Sequence, residues 1–250
     1  MQNLSGKIAL VTGASKGLGK GIAIELAACG AEVIVNYFSS QKQADEVVDQ
    51  IRTGGGKAMA IHADVSRKES VDQMFDEIQK HYGRLDILVN NAGTSQAKDI
   101  FDITEEDWDW IIRTNMTSGY FCSKRAMEIM RTQKYGRIVF VSSMVALQGA
   151  LYGHVHYAAT KGGQLSMVKT LARTGAPLGI TVNAVAPGII DTELLRSIHG
   201  DEGIARLDKT VPLGLGTVKD VGNAISFLCS DESHYLTGLT IDVNGGMYLH

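Results

Sequence analysis

Short apolar runs alternate with amphipathic segments along almost the whole chain. Each run is long enough for a strand buried on both faces of a sheet. Between them, apolar residues recur at intervals of three or four, as they do on one face of a helix. The pattern therefore predicts seven strands, which we place at residues 7–11, 32–35, 57–61, 85–90, 136–141, 180–185 and 239–243.

The intervening segments carry recognisable helix signals. Gly30 and Thr53–Gly56 are stop signals, and Thr104 followed by acidic residues is typical of a helix start. A glycine after the threonine at 174 predicts that the helix containing Tyr157 ends early. The other predicted helices span residues 18–29, 41–52, 67–81, 104–131 and about 218–229.

Strands that alternate with helices pair in parallel through right-handed crossovers. We therefore predict an α/β fold, a single doubly wound Rossmann domain over residues 1–250 with a seven-stranded parallel sheet flanked by helices. The stretch 189–215 has the least regular pattern, which favours a substrate-binding lid.

Composition limits the classes of partner that we expect this protein to bind. The chain is 44% apolar and 20% charged with a net charge of -3, and it has neither a basic stripe nor a membrane-length apolar run. Met1–Lys7 lacks the apolar region of a signal peptide, so we expect a cytoplasmic protein that binds no nucleic acid or membrane. Cys29, Cys122 and Cys229 are widely spaced, which predicts buried thiols and no metal site.

A glycine-rich turn, Thr12–Gly19, lies between the first predicted strand and helix. Glycine permits a tight turn, and it clears a path for a dinucleotide pyrophosphate at the start of the helix. The spacing is GxxxGxG, whereas the commoner fingerprint is GxGxxG. The turn predicts a dinucleotide site.

The end of the second strand bears on the choice of dinucleotide. A carboxylate there would bind the ribose hydroxyls of NAD, but Asn36–Ser40 contains none. Lys16, within the glycine turn, can pair with a 2′-phosphate. The sequence therefore favours NADP and leaves NAD possible.

Tyr157 and Lys161 are four residues apart, downstream of Ser142 and Ser143. On a helix they share one face, where an ammonium group can stabilise a phenolate and let tyrosine exchange protons near neutral pH. Asn90–Gly93 and the Pro187–Gly188 pair follow strands, at the sheet edge where ligands bind. Together with the glycine turn, these features predict hydride-transfer chemistry on a small molecule.

The ordered set of motifs resembles the short-chain dehydrogenase/reductase family over nearly the whole chain. The matching positions are Thr12–Gly19, Asp64–Val65, Asn90–Gly93, Asn115, Ser143, Tyr157–Lys161, Asn183, Pro187–Thr192, Tyr235–Gly238 and Asn244–Gly246.

The resemblance implies a role for each catalytic candidate. Tyr157 is the expected general acid/base, and Ser143 is expected to bind the substrate oxygen, with Ser142 as the neighbouring alternative. Lys161 is expected to lower the pKa of Tyr157 and to bind the nicotinamide ribose. Asn115 is expected to help hold a relay water.

The resemblance also implies the cofactor contacts. Asp64 is expected at the adenine, and Ile190 and Thr192 at the nicotinamide end. The full predicted cofactor set is Gly13, Ser15, Lys16, Gly17, Leu18, Gly19, Asn36, Asp64, Val65, Asn91, Ala92, Gly93, Tyr157, Lys161, Pro187, Gly188, Ile190 and Thr192.

The sequence leaves the identity of the substrate undecided. The leading hypothesis is an NADP-dependent ketone reductase, or the matching secondary-alcohol dehydrogenase, assembled as a homotetramer like many relatives. Lys134 fits the basic rim of reductases that act on acyl-carrier substrates, although Leu178 stands where such relatives have arginine. Val155–Gly163 also resembles the family's sugar dehydrogenases, and His154 and His156 either contact substrate or fill the loop.

Four alternatives accompany the leading hypothesis. They are an NAD-dependent sugar or polyol dehydrogenase, a 3-oxoacyl thioester reductase, an enoyl reductase, and a dinucleotide sensor without catalysis. Enoyl reductases of the family usually space tyrosine and lysine further apart. Here His154 stands seven residues before Lys161, where such a tyrosine is expected.

Overall fold

The computed structural model describes residues 2–150 and 153–249, and within them seven parallel strands form one sheet in the order β3-β2-β1-β4-β5-β6-β7. This order confirms the predicted doubly wound α/β fold. The chain builds outward from β1 to β3 and then returns to place β4 on the other side of β1. The strands are β1 (Ile8–Val11), β2 (Glu32–Tyr37), β3 (Lys57–His62), β4 (Ile87–Asn90), β5 (Gly136–Val141), β6 (Ile180–Pro187) and β7 (Thr240–Val243).

Helices cover both faces of the sheet. One apolar core contains residues of α1, α2 and α9, and the other contains residues of α3, α5 and α7. This two-sided burial is why the strands read as continuous apolar runs. The helices are α1 (Gly17–Ala28), α2 (Gln41–Thr53), α3 (Lys68–Tyr82), α4 (Glu105–Ile112), α5 (Ser118–Gln133), α6 (Val145–Gln148), α7 (Val155–Gly175), α8 (Glu193–Asp208) and α9 (Val218–Cys229).

The long helix expected from Thr104 to Arg131 begins where predicted. The Thr104 hydroxyl accepts a hydrogen bond from the Asp107 amide, and the Asp107 carboxylate accepts one from the Thr104 amide. A five-residue π-helical turn, Arg113–Thr117, then separates α4 from α5. One extra residue in a turn bulges the backbone, and such turns are frequent at functional sites.

Helix α7 does not end early. It runs for 21 residues to Gly175, so the expectation of a short helix was wrong. A Cβ at position 175 would lie 2.9 Å from the carbonyl oxygen of Ile180 at the start of β6. Close packing of helix on strand needs glycine here, and this packing outweighs its poor helix propensity of about 1 kcal/mol.

The segment 189–215 is more regular than its pattern suggested. It contains α8, which begins at a Thr192 hydroxyl that accepts from the Leu195 amide. A kink at Gly200, with φ 60° and ψ 177°, divides this helix. Its function as a lid stays a prediction.

The three thiols are buried and unpaired with one another, and burial raises the pKa of both Cys122 and Cys229 to about 12. No helix in the described part of the chain is both long and apolar enough to cross a membrane. Among the same residues, no group of three or more His, Cys, Asp or Glu side chains is arranged to hold a metal ion.

We expect Gly175→Ala to lower the free energy of unfolding by about 1–3 kcal/mol, because its Cβ would overpack against the β6 backbone. Urea unfolding followed by circular dichroism measures the change. Gly162 lies in the same helix but its Cβ would have only the Ala146 carbonyl oxygen nearby, at 3.8 Å. Gly162→Ala is therefore the control, and we expect it to raise stability by up to about 1 kcal/mol. Equal effects at both positions would contradict the packing explanation.

Candidate active site

The glycine turn and the segment after β4 meet where the strand order reverses, between β1 and β4. The Asn91 side chain donates to the carbonyl oxygens of Thr12 and Gly13, at 2.9 and 3.1 Å. The Thr12 hydroxyl accepts from the amides of Asn91 and Ala92, each at 3.0 Å. These bonds fix the turn in a crevice at the carboxyl ends of the strands, the usual ligand position in such sheets.

The turn forms a cradle that side chains would fill. Gly13 and Gly17 have φ of 62° and 56°, and a Cβ at Gly13 would lie 3.0 Å from the Ala92 Cα. A Cβ at Gly19 would clash with the Asn91 side chain. Helix α1 begins at Gly17, so its first free amides face this turn. The arrangement fits a pyrophosphate.

Asn36, one of the predicted cofactor residues, lies in β2 next to the glycine turn. Its side chain is buried, accepting from the Gly13 amide at 3.1 Å and donating to the Ala63 carbonyl at 3.1 Å. Asn36 thus supports the glycine turn through the hydrogen bond that it accepts from the Gly13 amide. The exposed groups beside it are Lys16 and Phe38, and the Phe38 ring stacks on His62.

The remaining predicted cofactor residues line the same edge of the sheet. Asp64 follows β3 and accepts from the Ser66 amide and hydroxyl. Gly188 follows β6, where a Cβ would lie 2.8 Å from the Asn244 Cα. Ser15 and Leu18 are half-buried in the glycine turn, Val65 is buried after Asp64, and Gly93 is exposed after β4. Pro187 is the last residue of β6. Ile190 is buried and forms a β-bridge to Gly216, and Thr192 caps α8.

The structure separates the two serines that follow β5. The Ser142 hydroxyl is buried and donates to the Lys161 carbonyl oxygen at 3.0 Å. Ser143 is half-buried; its hydroxyl accepts from the Val145 amide at 3.3 Å and lies near enough to the Tyr157 phenol to lower the pKa of that group. The geometry therefore brings Ser143, the preferred candidate, to Tyr157.

Lys161 is buried on the face of α7 that also carries Tyr157. Its Nζ donates to the carbonyl oxygen of Val141, the last residue of β5, at 2.8 Å and lies 5.6 Å from the centroid of the Tyr157 ring. Burial lowers the pKa of Lys161 to about 8. A charged lysine is therefore held here against a desolvation cost.

Tyr157 differs electrostatically from the expectation. We expected Lys161 to lower its pKa, but burial raises the pKa of Tyr157, and the hydrogen bond from Ser143 opposes this rise only partly. Removing the phenol from water disfavours the phenolate more than its surroundings favour it. In the protein alone, Tyr157 is a protonated hydrogen-bond donor.

Asn115 connects the crevice to α7 from within the π-helical turn. Its amide oxygen accepts from the Thr94 amide and its amide nitrogen donates to the Thr94 carbonyl, both at 2.8 Å. The same nitrogen lies 3.3 Å from the Thr160 hydroxyl. The carbonyl of Asn115 accepts from Gln164 at 2.7 Å. The side chain thus fixes the loop after β4 against the catalytic helix.

The two histidines before Tyr157 have different surroundings. His156 is buried and its Nε2 lies 2.9 Å from the Gln96 Oε1, while burial lowers its pKa. His154 is half-buried, and its Nδ1 lies 3.1 Å from the Ser95 hydroxyl. Both therefore contact the loop after β4, and His154 also lies near the phenol, with ring centroids 6.2 Å apart.

Sequence reasoning missed the polar residues that complete these contacts. Thr94, Ser95, Gln96, Thr160 and Gln164 match no motif, and their partners are distant in the chain. The buried glutamine in α7, Gln164, is the one such residue with a visible signal, since an amide among apolar helical positions needs a partner.

Lys134 and Leu178 lie away from the crevice within one chain. Both precede strands, β5 and β6, whose opposite ends carry Ser143 and Gly188. A six-residue strand such as β5 separates its two ends by about 20 Å. The expectation that Lys134 forms a basic rim at the pocket is therefore wrong for a single chain.

Comparison with known proteins agrees with this geometry. A family model described as enoyl-(acyl carrier protein) reductase matches residues 13–248. The chain is 41% identical to a 3-oxoacyl-acyl-carrier-protein reductase of Escherichia coli over 99% of both chains. It is 40% identical to the enzyme of that name from Staphylococcus epidermidis, over 97% of this chain and 99% of the other.

Solved structures of other proteins share the fold of this chain. A putative gluconate dehydrogenase from Agrobacterium tumefaciens has a TM-score of 0.93 at 31% identity, covering 98% of this chain and 97% of that one. A putative short-chain alcohol dehydrogenase from Sinorhizobium meliloti has a TM-score of 0.92 at 36% identity with the same coverage.

Burial of Lys161 has a measurable consequence for stability. Its pKa falls from 10.5 in the unfolded chain to about 8 in the folded protein, so the unfolded chain binds more protons between these values. Linkage then makes the free energy of unfolding rise with pH across that window. We expect Lys161→Met to lose this rise and to be more stable near neutral pH by up to about 3 kcal/mol.

Urea unfolding at a series of pH values from about 7 to about 10 measures the slope for both proteins. Lys169→Met, at an exposed lysine of the same helix, is the matched control. Parallel curves for the wild type and Lys161→Met would show that Lys161 keeps its ordinary protonation in the fold.

Proposed function

We propose that this chain, which belongs to the short-chain dehydrogenase/reductase family of NAD(P)-dependent oxidoreductases, reduces a ketone to a secondary alcohol with NADPH. The observation that carries the proposal is that Ser143 lies beside the Tyr157 phenol, while Lys161 of the same helix as Tyr157 is held by a hydrogen bond to the last residue of β5. This set lies at the same sheet edge as the glycine cradle. A non-catalytic sensor would need the cradle but not this set.

The chemistry follows from the two hydroxyls. A ketone that gains a hydride develops negative charge on its oxygen, so one donor must stabilise that oxygen and one must protonate it. Ser143 supplies the first donor and Tyr157 the second. Because burial raises the pKa of Tyr157, the phenol is protonated at neutral pH, which is the form that reduction requires. The nicotinamide dinucleotide supplies the hydride when it is bound.

The chain's own residues would hold that dinucleotide along one edge of the sheet. Gly13, Gly17 and the start of α1 would receive the pyrophosphate, and Asp64 the adenine. Lys161 and Thr192 would lie toward the nicotinamide end. Asn115 would orient a water through its carbonyl oxygen, next to the bond that it accepts from Gln164.

The preference for NADP rests on charge. Lys16 is exposed at the start of α1, and no carboxylate lies within Asn36–Ser40 to repel a 2′-phosphate. A lysine ammonium pairs with phosphate as a point charge. NAD remains the alternative cofactor.

A 3-oxoacyl thioester is the second candidate substrate, because two relatives at about 40% identity are named as reductases of that class. A sugar or polyol is the third, given the gluconate dehydrogenase likeness in fold. Initial rates of NADPH and NADH oxidation with 2-butanone, acetoacetyl thioester, a keto-sugar and an enone separate these classes. Reduction of the enone alkene would replace ketone reduction with C=C reduction.

We also propose that the protein is a homotetramer and that residues 189–215 close over the substrate. Trp108 and Trp110 on α4 and Tyr120 on α5 are 41–49% exposed, and large exposed aromatics on neighbouring helices support a subunit interface there. Leu194 and Ile198 lie one turn apart on α8 and are exposed. These apolar side chains support a lid that closes on substrate.

We expect Tyr157→Phe to lower kcat/KM for the best ketone by at least about 100-fold, because the phenylalanine ring keeps the packing but cannot donate a proton. The dissociation constant for NADPH, measured by fluorescence titration, should stay within about twofold. Tyr235→Phe, at a tyrosine that is 92% exposed and lies before β7 begins, is the control and should keep full activity. Turnover retained by Tyr157→Phe would remove tyrosine from the proposed role.

We expect Lys16→Ala to raise the KM for NADPH by about tenfold and to leave the KM for NADH within about twofold. Loss of one exposed charge-assisted contact to phosphate corresponds to roughly 1.4 kcal/mol. Lys57→Ala, at an exposed lysine that begins β3 on the opposite edge of the sheet, provides the comparison. Equal changes for both dinucleotides would exclude a 2′-phosphate contact by Lys16.

A further inference from the structure

We propose that His154, oriented by Ser95, binds a hydroxyl group on the carbon next to the reacting carbonyl, so that the preferred substrates are α-hydroxy ketones and the matching vicinal diols. This inference rests on the proposed ketone reductase and names its substrate class. In this proposal, the imidazole of His154 forms the polar side of the substrate pocket.

The position of His154 is the first support. Its ring centroid lies 6.2 Å from that of Tyr157, with the ring planes at 67°. A ketone whose oxygen meets the Tyr157 and Ser143 hydroxyls would extend its adjacent carbon past this edge-on imidazole. The imidazole therefore lies directly beside the phenol that the substrate oxygen would meet.

The hydrogen-bonding capacity of the ring is the second support. Nδ1 of His154 pairs with the Ser95 hydroxyl at 3.1 Å, and among the residues that the structure describes its Nε2 has no partner. A serine hydroxyl can either donate or accept, so Nε2 can in turn donate to or accept from a ligand. A substrate hydroxyl matches both states, whereas a simple alkyl group matches neither.

His156 provides the contrast, because its ring is fully buried: its Nδ1 also has no partner among the described residues, but that atom is closed off from solvent and substrate. The Gln96 amide donates to Asp107 at 2.7 Å, so its oxygen faces His156 and accepts from the imidazole Nε2 at 2.9 Å. Lys98 also binds Asp107. His156 is fully buried and fixes the loop 94–98 against α4 and α7, which holds Ser95 beside His154.

The backbone at His154 is the third support. Its φ of 58° and ψ of 21° are left-handed, a conformation that costs a non-glycine residue about 1 kcal/mol or more. Gly153 before it approaches the loop so closely that a Cβ would lie 2.7 Å from the Lys98 carbonyl oxygen. The close approach of these two segments holds the imidazole beside the phenol despite the strain.

A pair of probe ketones that differ by one hydroxyl tests the inference. We expect the wild type to reduce 3-hydroxy-2-butanone with a kcat/KM at least about tenfold above that for 2-butanone, since a polar site discriminates against an analogue that leaves it unpaired. His154→Gly removes the imidazole and suits the left-handed backbone. It should lower this ratio at least about fivefold, with the 2-butanone kcat/KM and the NADPH dissociation constant each within about twofold of wild type.

Two further variants sharpen the result. Ser95→Ala should lower the ratio in the same direction by a smaller factor of about two to three, because the imidazole loses its orienting partner. His81→Gly is the matched control, since His81 is exposed in the last turn of α3, shortly before β4 begins and therefore near the opposite edge of the sheet. It should leave the ratio unchanged.

The outcomes separate this inference from the proposed function. If the wild type reduces ketones and Tyr157→Phe abolishes this, an unchanged ratio in His154→Gly overturns the role of His154 alone. Equal losses with both ketones also overturn it, since they would show a purely structural effect. Absence of turnover with every ketone would overturn the reductase and the hydroxyl site together.

Discussion

The site depends on one buried amide, that of Asn115. A buried asparagine is costly unless its polar atoms are paired, and here the oxygen and nitrogen both bond the backbone of Thr94, while Thr160 lies within reach of the nitrogen. The backbone of the π-helical segment directs the Asn115 side chain toward the loop after β4. Because the same residue contacts that loop and α7, it holds the loop after β4 against the helix that carries Tyr157.

Burial works against ionisation throughout the site. It raises the pKa of Tyr157 and lowers that of Lys161, so both groups are shifted toward neutrality. A site of this kind is less stable than a fully apolar packing would be, a common consequence of functional placement. The same burial lowers the dielectric constant in the crevice, and hydroxyl donors act more strongly there on a developing oxyanion.

The parts of the crevice differ in how closely they are specified. The glycine cradle is constrained by contacts of backbone on backbone, such as that of Gly13 with Ala92, and tolerates little change. His154 and Ser95 lie outside the strands, where side chains can vary without disturbing the sheet. The chain shares its fold with a putative gluconate dehydrogenase at a TM-score of 0.93, and it is 41% identical to a 3-oxoacyl-acyl-carrier-protein reductase, whose name specifies a different substrate.

The sequence by itself determined the alternation of strands and helices, the strand-to-helix glycine turn, and the shared face of Tyr157 and Lys161, because each depends on neighbours a few residues away. Tertiary structure decided what local pattern does not carry. It placed Ser143 rather than Ser142 against the phenol, extended α7 to a glycine that lies on β6, and gave His154 and His156 different surroundings. Asn36 became a support for the glycine turn in the same way. Each of these outcomes depends on contacts between residues distant in the chain, and the packing of the sheet alone brings such residues together.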